Sequence, residues 1–150
     1  MKHLLNTLLT VGFLLASGLT HAAEYEVKML NSGSEGFMVF EPAVLSVEVG
    51  DTVNFVATDM AHNSASIAGM IPDGAEPWSG QLNEDISVTF DKPGVYAYQC
   101  TPHAMMAMVG VINVGQDKAN LPAVKTAALN KKASFVTNKD RLDNYLAQLQ

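Results

Sequence analysis

The chain has 150 residues, of which 48% are hydrophobic, and carries nine Lys and Arg against fifteen Asp and Glu, a net charge of −6. An acidic chain of this length folds as one domain with its own core, and its charge argues against nucleic acid or an anionic membrane surface as partner. A single cysteine, Cys100, excludes an internal disulfide.

Residues 1–22 read as a signal peptide. Lys2 gives a positive start, Leu4 to Leu19 form an apolar stretch interrupted by Asn6, Thr7 and Thr10, and Thr20-His21-Ala22 puts small residues at the −3 and −1 positions of a cleavage site. The stretch is short and polar for a membrane anchor, which needs roughly 20 mainly apolar residues. No cysteine stands near the cut to carry a lipid, and no later segment is apolar enough to span a bilayer. Cleavage after Ala22 leaves residues 23–150 as a single domain. Lys2, His3 and His21 go with the leader, so the mature chain has a net charge of −7 and keeps two histidines, His62 and His103.

Short strands follow. "EYEVKML" (24–30) alternates, with Tyr25, Val27 and Met29 on one face. "AVLSVEVGDTVNFVAT" (43–58) is two alternating runs divided by the turn pair Gly50-Asp51. After a long connection from Ala68 to Asn83, "ISVTFDKPGVYAYQC" (86–100) repeats the design around Pro93-Gly94, a pair suited to the centre of a type II turn. "MVGVINV" (108–114) closes the series. Period-two alternation broken by turns at these intervals predicts an all-β, antiparallel β-sandwich. Two short C-terminal α-helices are expected to pack on it. The first, at 120–131, has Asn120 as its cap and Pro122 in its first turn; the second, at 137–150, has Thr137 and Asp140 in capping-box spacing. Leu142, Tyr145, Leu146 and Leu149 share one helical face.

The chemistry concentrates in "CTPHAMMAM" (100–108). Cys100 ends one strand and Met108 opens the next, so the residues between them form a tight hairpin loop that carries His103. His62 follows the strand at 52–58 and falls among loops at the same end of a sandwich. The resulting donor set is one thiolate, two imidazoles and a thioether. His2Cys with a weak axial Met is the set of an electron-transfer copper site, in which soft sulfur suits Cu(I) and imidazole accepts either oxidation state. Taken singly, a lone cysteine is most often a buried small apolar side chain, and a lone histidine a hydrogen-bonded loop residue. The joint placement of the only cysteine and both mature histidines is what favours one copper ion. Two rivals remain: a cysteine enzyme using Cys100 and His103, and a copper chaperone or storage module using Met105, Met106 and Met108. The first lacks an orienting carboxylate and leaves Met108 and His62 idle; the second would show no colour with Cu(II).

"MLNSGSEGFMVFEPA" (29–43), "GDTVNF" (50–55), "HNSASIAGMIPDGAE" (62–76) and "CTPH" (100–103), with the Cys-x2-His-x4-Met spacing and the two-helix tail, resemble the cupredoxins, specifically their pseudoazurin branch. The resemblance spans nearly all of the mature chain. It implies a Greek-key sandwich and a type 1 blue copper electron carrier, not an enzyme, in the bacterial periplasm. It further implies His62, Cys100, His103 and axial Met108 as metal ligands. Met106 stands at the spacing of a shorter-loop relative; Met108 is preferred because it directly precedes the last strand. Asn63 is expected to hydrogen-bond across to the cysteine loop, Pro102 withholds one N–H from the sulfur, and Met38 sits beside the exposed histidine. The electron port would be the edge of His103, ringed by Met60, Trp78, Ala104, Met105 and Met106. The implied partners are a c-type cytochrome donor and a terminal reductase such as nitrite or nitrous oxide reductase, met by a monomer. Lysines typical of the ring are absent: the corresponding positions read Ser32, Met60, Pro77, Ser79, Gln81 and Gln99, and most cations lie in the C-terminal tail.

Overall fold

The structure, a computed structural model, describes residues 22–149; of the signal peptide expected over residues 1–22, all but Ala22 lies outside the described residues. Eight strands are followed by two helices: β1 Glu24–Gly33, β2 Gly36–Glu41, β3 Val44–Val47, β4 Thr52–Val56, β5 Ala65–Ser66, β6 Ile86–Thr89, β7 Gly94–Gln99, β8 Val109–Val114, α1 Leu121–Lys132 and α2 Arg141–Ala147. They form two four-stranded sheets, ordered β2-β1-β4-β6 and β3-β8-β7-β5.

The sandwich and its two helices are as the sequence predicts, but the strands are not all antiparallel. Each sheet is mixed: β1 runs parallel to β4, and β3 parallel to β8. The cause is that the chain changes sheet at the two turn signals. β3 and β4 flank Gly50-Asp51 yet lie in opposite sheets, as do β6 and β7 around Pro93-Gly94. Neither signal therefore closes a hairpin. At Gly94 the chain has already entered β7, with φ of 132° rather than the value a type II turn requires.

Burial divides the sheets. In β1 and β4 apolar side chains alternate with exposed or half-exposed ones, Val27, Met29, Val53 and Phe55 pointing inward. In β7 and β8 nearly every residue is buried, because even positions face the sandwich and odd positions face the helices. Tyr96, Tyr98, Cys100, Met108, Ile112 and Val114 join the inter-sheet core. Val95, Ala97, Val109 and Val111 instead pack against Val124, Ala128, Leu142, Tyr145 and Leu146 of the helices. The near-continuous apolar runs "GVYAY" and "VGVINV" are thus the mark of a sheet covered on both faces.

The helix faces are as expected and the caps are not. Asn120 stands at the N-cap of α1, but its amide donates to Val95 O at 2.8 Å and accepts from Val95 N at 2.9 Å, which fastens the helix to β7. α2 begins at Arg141 rather than Thr137, since Asn138 sits in the left-handed region and Asp140 pairs with Lys132. Two strands carried no clear sequence signal. β5 is a two-residue segment, and β2 opens on Gly36 and carries an exposed Phe37 and a left-handed Met38 with φ of 51°, which blurs the alternation.

Candidate metal centre

The register of β5 against β7 builds the site. Ala65 pairs with Gln99, which holds His62-Asn63-Ser64 alongside Cys100-Thr101. Asn63 then stitches the two loops together: its Oδ1 accepts from Thr101 N at 2.8 Å, and its Nδ2 donates to Thr101 Oγ1 at 3.2 Å and to Gly80 O at 3.0 Å. This is the cross-loop role expected of Asn63. The hairpin loop is held from inside, by Cys100 N to Met108 O at 2.9 Å and Met106 N to His103 O at 3.0 Å, around a 3-10 turn at Ala104–Met106.

Three donor atoms converge. Cys100 Sγ lies 3.6 Å from His62 Nδ1 and 3.5 Å from His103 Nδ1, and the two Nδ1 atoms are 3.1 Å apart. A point equidistant from such a triangle's corners is about 2 Å from each, the length of a bond from a first-row metal ion to nitrogen or sulfur. At this distance the two nitrogens either share one proton in a hydrogen bond or, with that proton gone, offer two lone pairs to a single cation. The arrangement therefore fits a soft metal ion, by the chemistry of its donors and by their spacing.

The surroundings fix which atoms face inward. His62 is fully buried, and its Nε2 lies 2.9 Å from Asn31 Oδ1. An amide oxygen only accepts, so Nε2 carries the proton and Nδ1 is left as the lone-pair atom. Asn31 is itself held by Asp59, whose carboxylate accepts from Asn31 N at 2.7 Å. Burial first, then the His103 imidazole, pushes the His62 pKa below its usual value against the pull of Asp59, which keeps the ring neutral at pH 7. Burial pushes the Cys100 thiol up, with backbone N–H groups of Asn63 and His103 working in the opposite direction. Metal uptake must therefore displace a proton from the sulfur. Asn31 was not singled out in the sequence; an asparagine at a strand end carries no motif.

Met108 is fully buried in the inter-sheet core, in the same cluster as Cys100, whereas Met106 is half-exposed. His103 is half-exposed and is the only one of the three converging residues that reaches the surface. Of the residues expected around it, Met60 and Met105 stand 71% and 57% exposed. Trp78 departs from the expectation. It is 9% exposed, stacked on Phe55 and hydrogen-bonded through Nε1 to Ser64 Oγ, so it belongs to the core and not to the rim of the port.

A mixed β-sandwich with one buried thiol and two imidazoles at the same end defines the cupredoxin class. A profile of copper binding proteins of the plastocyanin/azurin family matches residues 27–115. Pseudoazurin of Paracoccus pantotrophus is 46% identical over 128 residues, covering 85% of this chain and 85% of its own length. The crystal structure of pseudoazurin from Methylobacterium extorquens AM1 superposes with a TM-score of 0.75 at 43% identity, over 85% of this chain and 99% of that one. Native pseudoazurin from Hyphomicrobium denitrificans gives a TM-score of 0.70 at 34% identity, over 83% and 97%. The chain belongs to the copper-binding plastocyanin/azurin family and, within it, to the pseudoazurins.

Proposed function

We propose that this electron carrier holds its single copper ion through His62 Nδ1, Cys100 Sγ and His103 Nδ1, with Met108 as the weak axial ligand, and passes electrons through the exposed edge of His103. The observation that carries this is the convergence of the three donor atoms within 4.8 Å of one another. The ion supplies a one-electron couple; the protein supplies everything that makes the exchange directional. Asn31 keeps the His62 ring turned, Asn63 locks the two ligand loops together, and full burial of Cys100 and His62 excludes water from the sulfur side. That leaves His103 as the outlet. No bond is made or broken, so the chain is a redox carrier without turnover of its own. The chaperone reading, built on Met105, Met106 and Met108, loses one of its three thioethers, since Met108 is wholly buried while Met105 and Met106 reach the surface.

The partner meets an apolar face made of Met60, Ala104, Met105 and Met106. The cellular setting is the periplasm, reached after residues 1–22 are removed. The electron goes from a c-type cytochrome to a terminal reductase of the nitrite or nitrous oxide kind, with the carrier acting as a monomer. Titration of the metal-free protein with Cu(II) should saturate at one ion and give an intense visible band from thiolate-to-copper charge transfer. Cys100→Ala should abolish the band and leave the sandwich folded; a band that survives this substitution contradicts the assignment. Met108→Leu should raise the reduction potential, because losing a donor that favours Cu(II) leaves a site better suited to Cu(I). Met106→Leu should move it much less, and the reverse order would make Met106 the axial ligand.

A further inference from the structure

Arg141, the first residue of α2, turns its guanidinium back onto three main-chain carbonyls. Its Nη1 donates to Met38 O at 2.9 Å, Ala107 O at 3.1 Å and Phe37 O at 3.3 Å, and Nη2 donates to Phe37 O at 3.3 Å. No carboxylate lies in salt-bridge range of it among the described residues. A charge satisfied only by carbonyls is there to hold a backbone in place, and a planar fork does this better than an ammonium.

The backbone it holds is unusual. Met38 and Ala107 both have left-handed φ, 51° and 55°, although neither is glycine. Such a conformation is disfavoured for a residue with a Cβ and persists only where its surroundings over-determine it. Ala107 is the residue immediately before Met108. Its left-handed turn ends the 3-10 segment and sends the chain into β8 with the Met108 side chain pointing into the inter-sheet core. Arg141 thus ties the C-terminal helix to two left-handed kinks, at Met38 and at Ala107, the second of them immediately before the axial position.

We infer that Arg141 is a positioning residue for the metal centre, acting through the Ala107 kink to set where the Met108 sulfur stands relative to the other three donors. This rests on Met108 being the axial ligand. The tail helix then tunes the site from a distance, and its link to β2 and the cysteine loop is the means.

The test uses Arg141→Lys, which keeps the charge but loses the fork, together with Arg141→Gln, Met108→Leu and the double variant Arg141→Lys/Met108→Leu. In the metal-free protein, amide hydrogen exchange at Ala107 and Met108 should speed up by about tenfold or more in both Arg141 variants, the loss of a charged hydrogen bond to a carbonyl. In the copper-loaded protein both should change the ratio of the visible charge-transfer bands and the electron paramagnetic resonance parameters. In the Met108→Leu background Arg141→Lys should change neither. Wild-type exchange and spectra in both Arg141 variants would reduce the residue to a helix anchor and overturn the inference. A spectral change that persists undiminished in the Met108→Leu background would overturn it too, because the effect would not pass through Met108. If Met108→Leu alone leaves the spectrum unchanged, the axial assignment itself is what has failed.

Discussion

The two ends of the sandwich handle the same backbone problem differently. At the end away from the metal centre, left-handed positions are filled by glycine: Gly50 before β4, Gly94 at the start of β7 and Gly115 after β8. At the metal end glycine serves at Gly36, beside Arg141, but Met38, Ala61, Asn83, Ala107 and Asn138 are left-handed as well. Four of these five adjoin the ligand loops directly, and Met38 is linked to them through Arg141. Ala61 precedes His62 and donates its N–H to Asn83 Oδ1; Asn83 N donates to His62 O; Ala107 precedes Met108; Asn138 Nδ2 donates to Met106 O at 3.3 Å; and Met38 shares Arg141 with Ala107. A left-handed residue with a side chain costs on the order of 1 kcal/mol. The far end turns by the least costly means, while the metal end accepts strain to hold donor atoms in one arrangement before a metal arrives.

The largest expected effect breaks the metal end alone. Asn31→Ala frees the His62 ring, and copper affinity should fall by about ten- to a hundredfold, as for other lost partners of a ligating histidine. Thermal unfolding of the metal-free protein should hardly move, since Asn31 is exposed. Equal losses of both would mean that Asn31 serves the fold and not the site.

Gly50→Ala is the converse. Nothing lies within 4 Å of the added Cβ, so the whole cost is the φ of 96°. Stability should drop by about 1–3 kcal/mol in denaturant unfolding, with the copper spectrum unchanged. Ala107→Gly should show the opposite pattern. Relief of about 1 kcal/mol of strain roughly offsets the loss of one buried methyl, about 0.8 kcal/mol. Stability should stay near wild type while the visible spectrum shifts, as the kink before Met108 loosens. An unchanged spectrum would show that the strained backbone has no hold on the site.

The smallest effect concerns charge at the port. The positions expected around His103, Ser32, Met60, Pro77, Ser79, Gln81 and Gln99, hold no lysine, and of the tail cations Lys132 is tied to Asp140 and Asp143. Arg141, one of the cations of the C-terminal tail, reaches the cysteine loop, but it is occupied by carbonyls. Acids near the ligand loops include Asp59 and Asp85, which accept from Asn31 N and Ala57 N. Oxidation of the reduced protein by a cationic cobalt(III) complex should slow with added salt by about tenfold or less, and oxidation by hexacyanoferrate(III) should not. Steep slowing with the anion would show that tail cations govern the port, and that the partner face is acidic rather than neutral or basic.

What the sequence made legible follows from how local each signal is. Strand alternation and the Cys-x2-His-x4-Met spacing are local, so the sandwich and the loop with Cys100 and His103 could be read directly, while His62, 38 residues from Cys100, is placed by the sandwich's shared loop end and by family resemblance. The mixed sheets could not, because a Gly-Asp or Pro-Gly pair says that the chain turns and not into which sheet it turns. Trp78 looked like a surface residue because it stands in a Gly- and Pro-rich connection, yet aromatic stacking on Phe55 and a bond to Ser64 bury it. Asn31 and Arg141 act across 31 and 34 residues of chain respectively, on His62 and on Ala107, and nothing in their own neighbourhoods marks them.

The central claim, that the strained end of the sandwich is a preset cradle for one copper ion, is tested most directly by a crystal structure of the copper-loaded protein with anomalous scattering recorded at the copper edge. The account predicts a single peak bonded to His62 Nδ1, Cys100 Sγ and His103 Nδ1, with Met108 Sδ as the next nearest donor and with Met38, Ala61 and Ala107 unchanged in φ. A peak held by Met105 or Met106 at the surface, or ligand loops that rearrange to reach the metal, would contradict it.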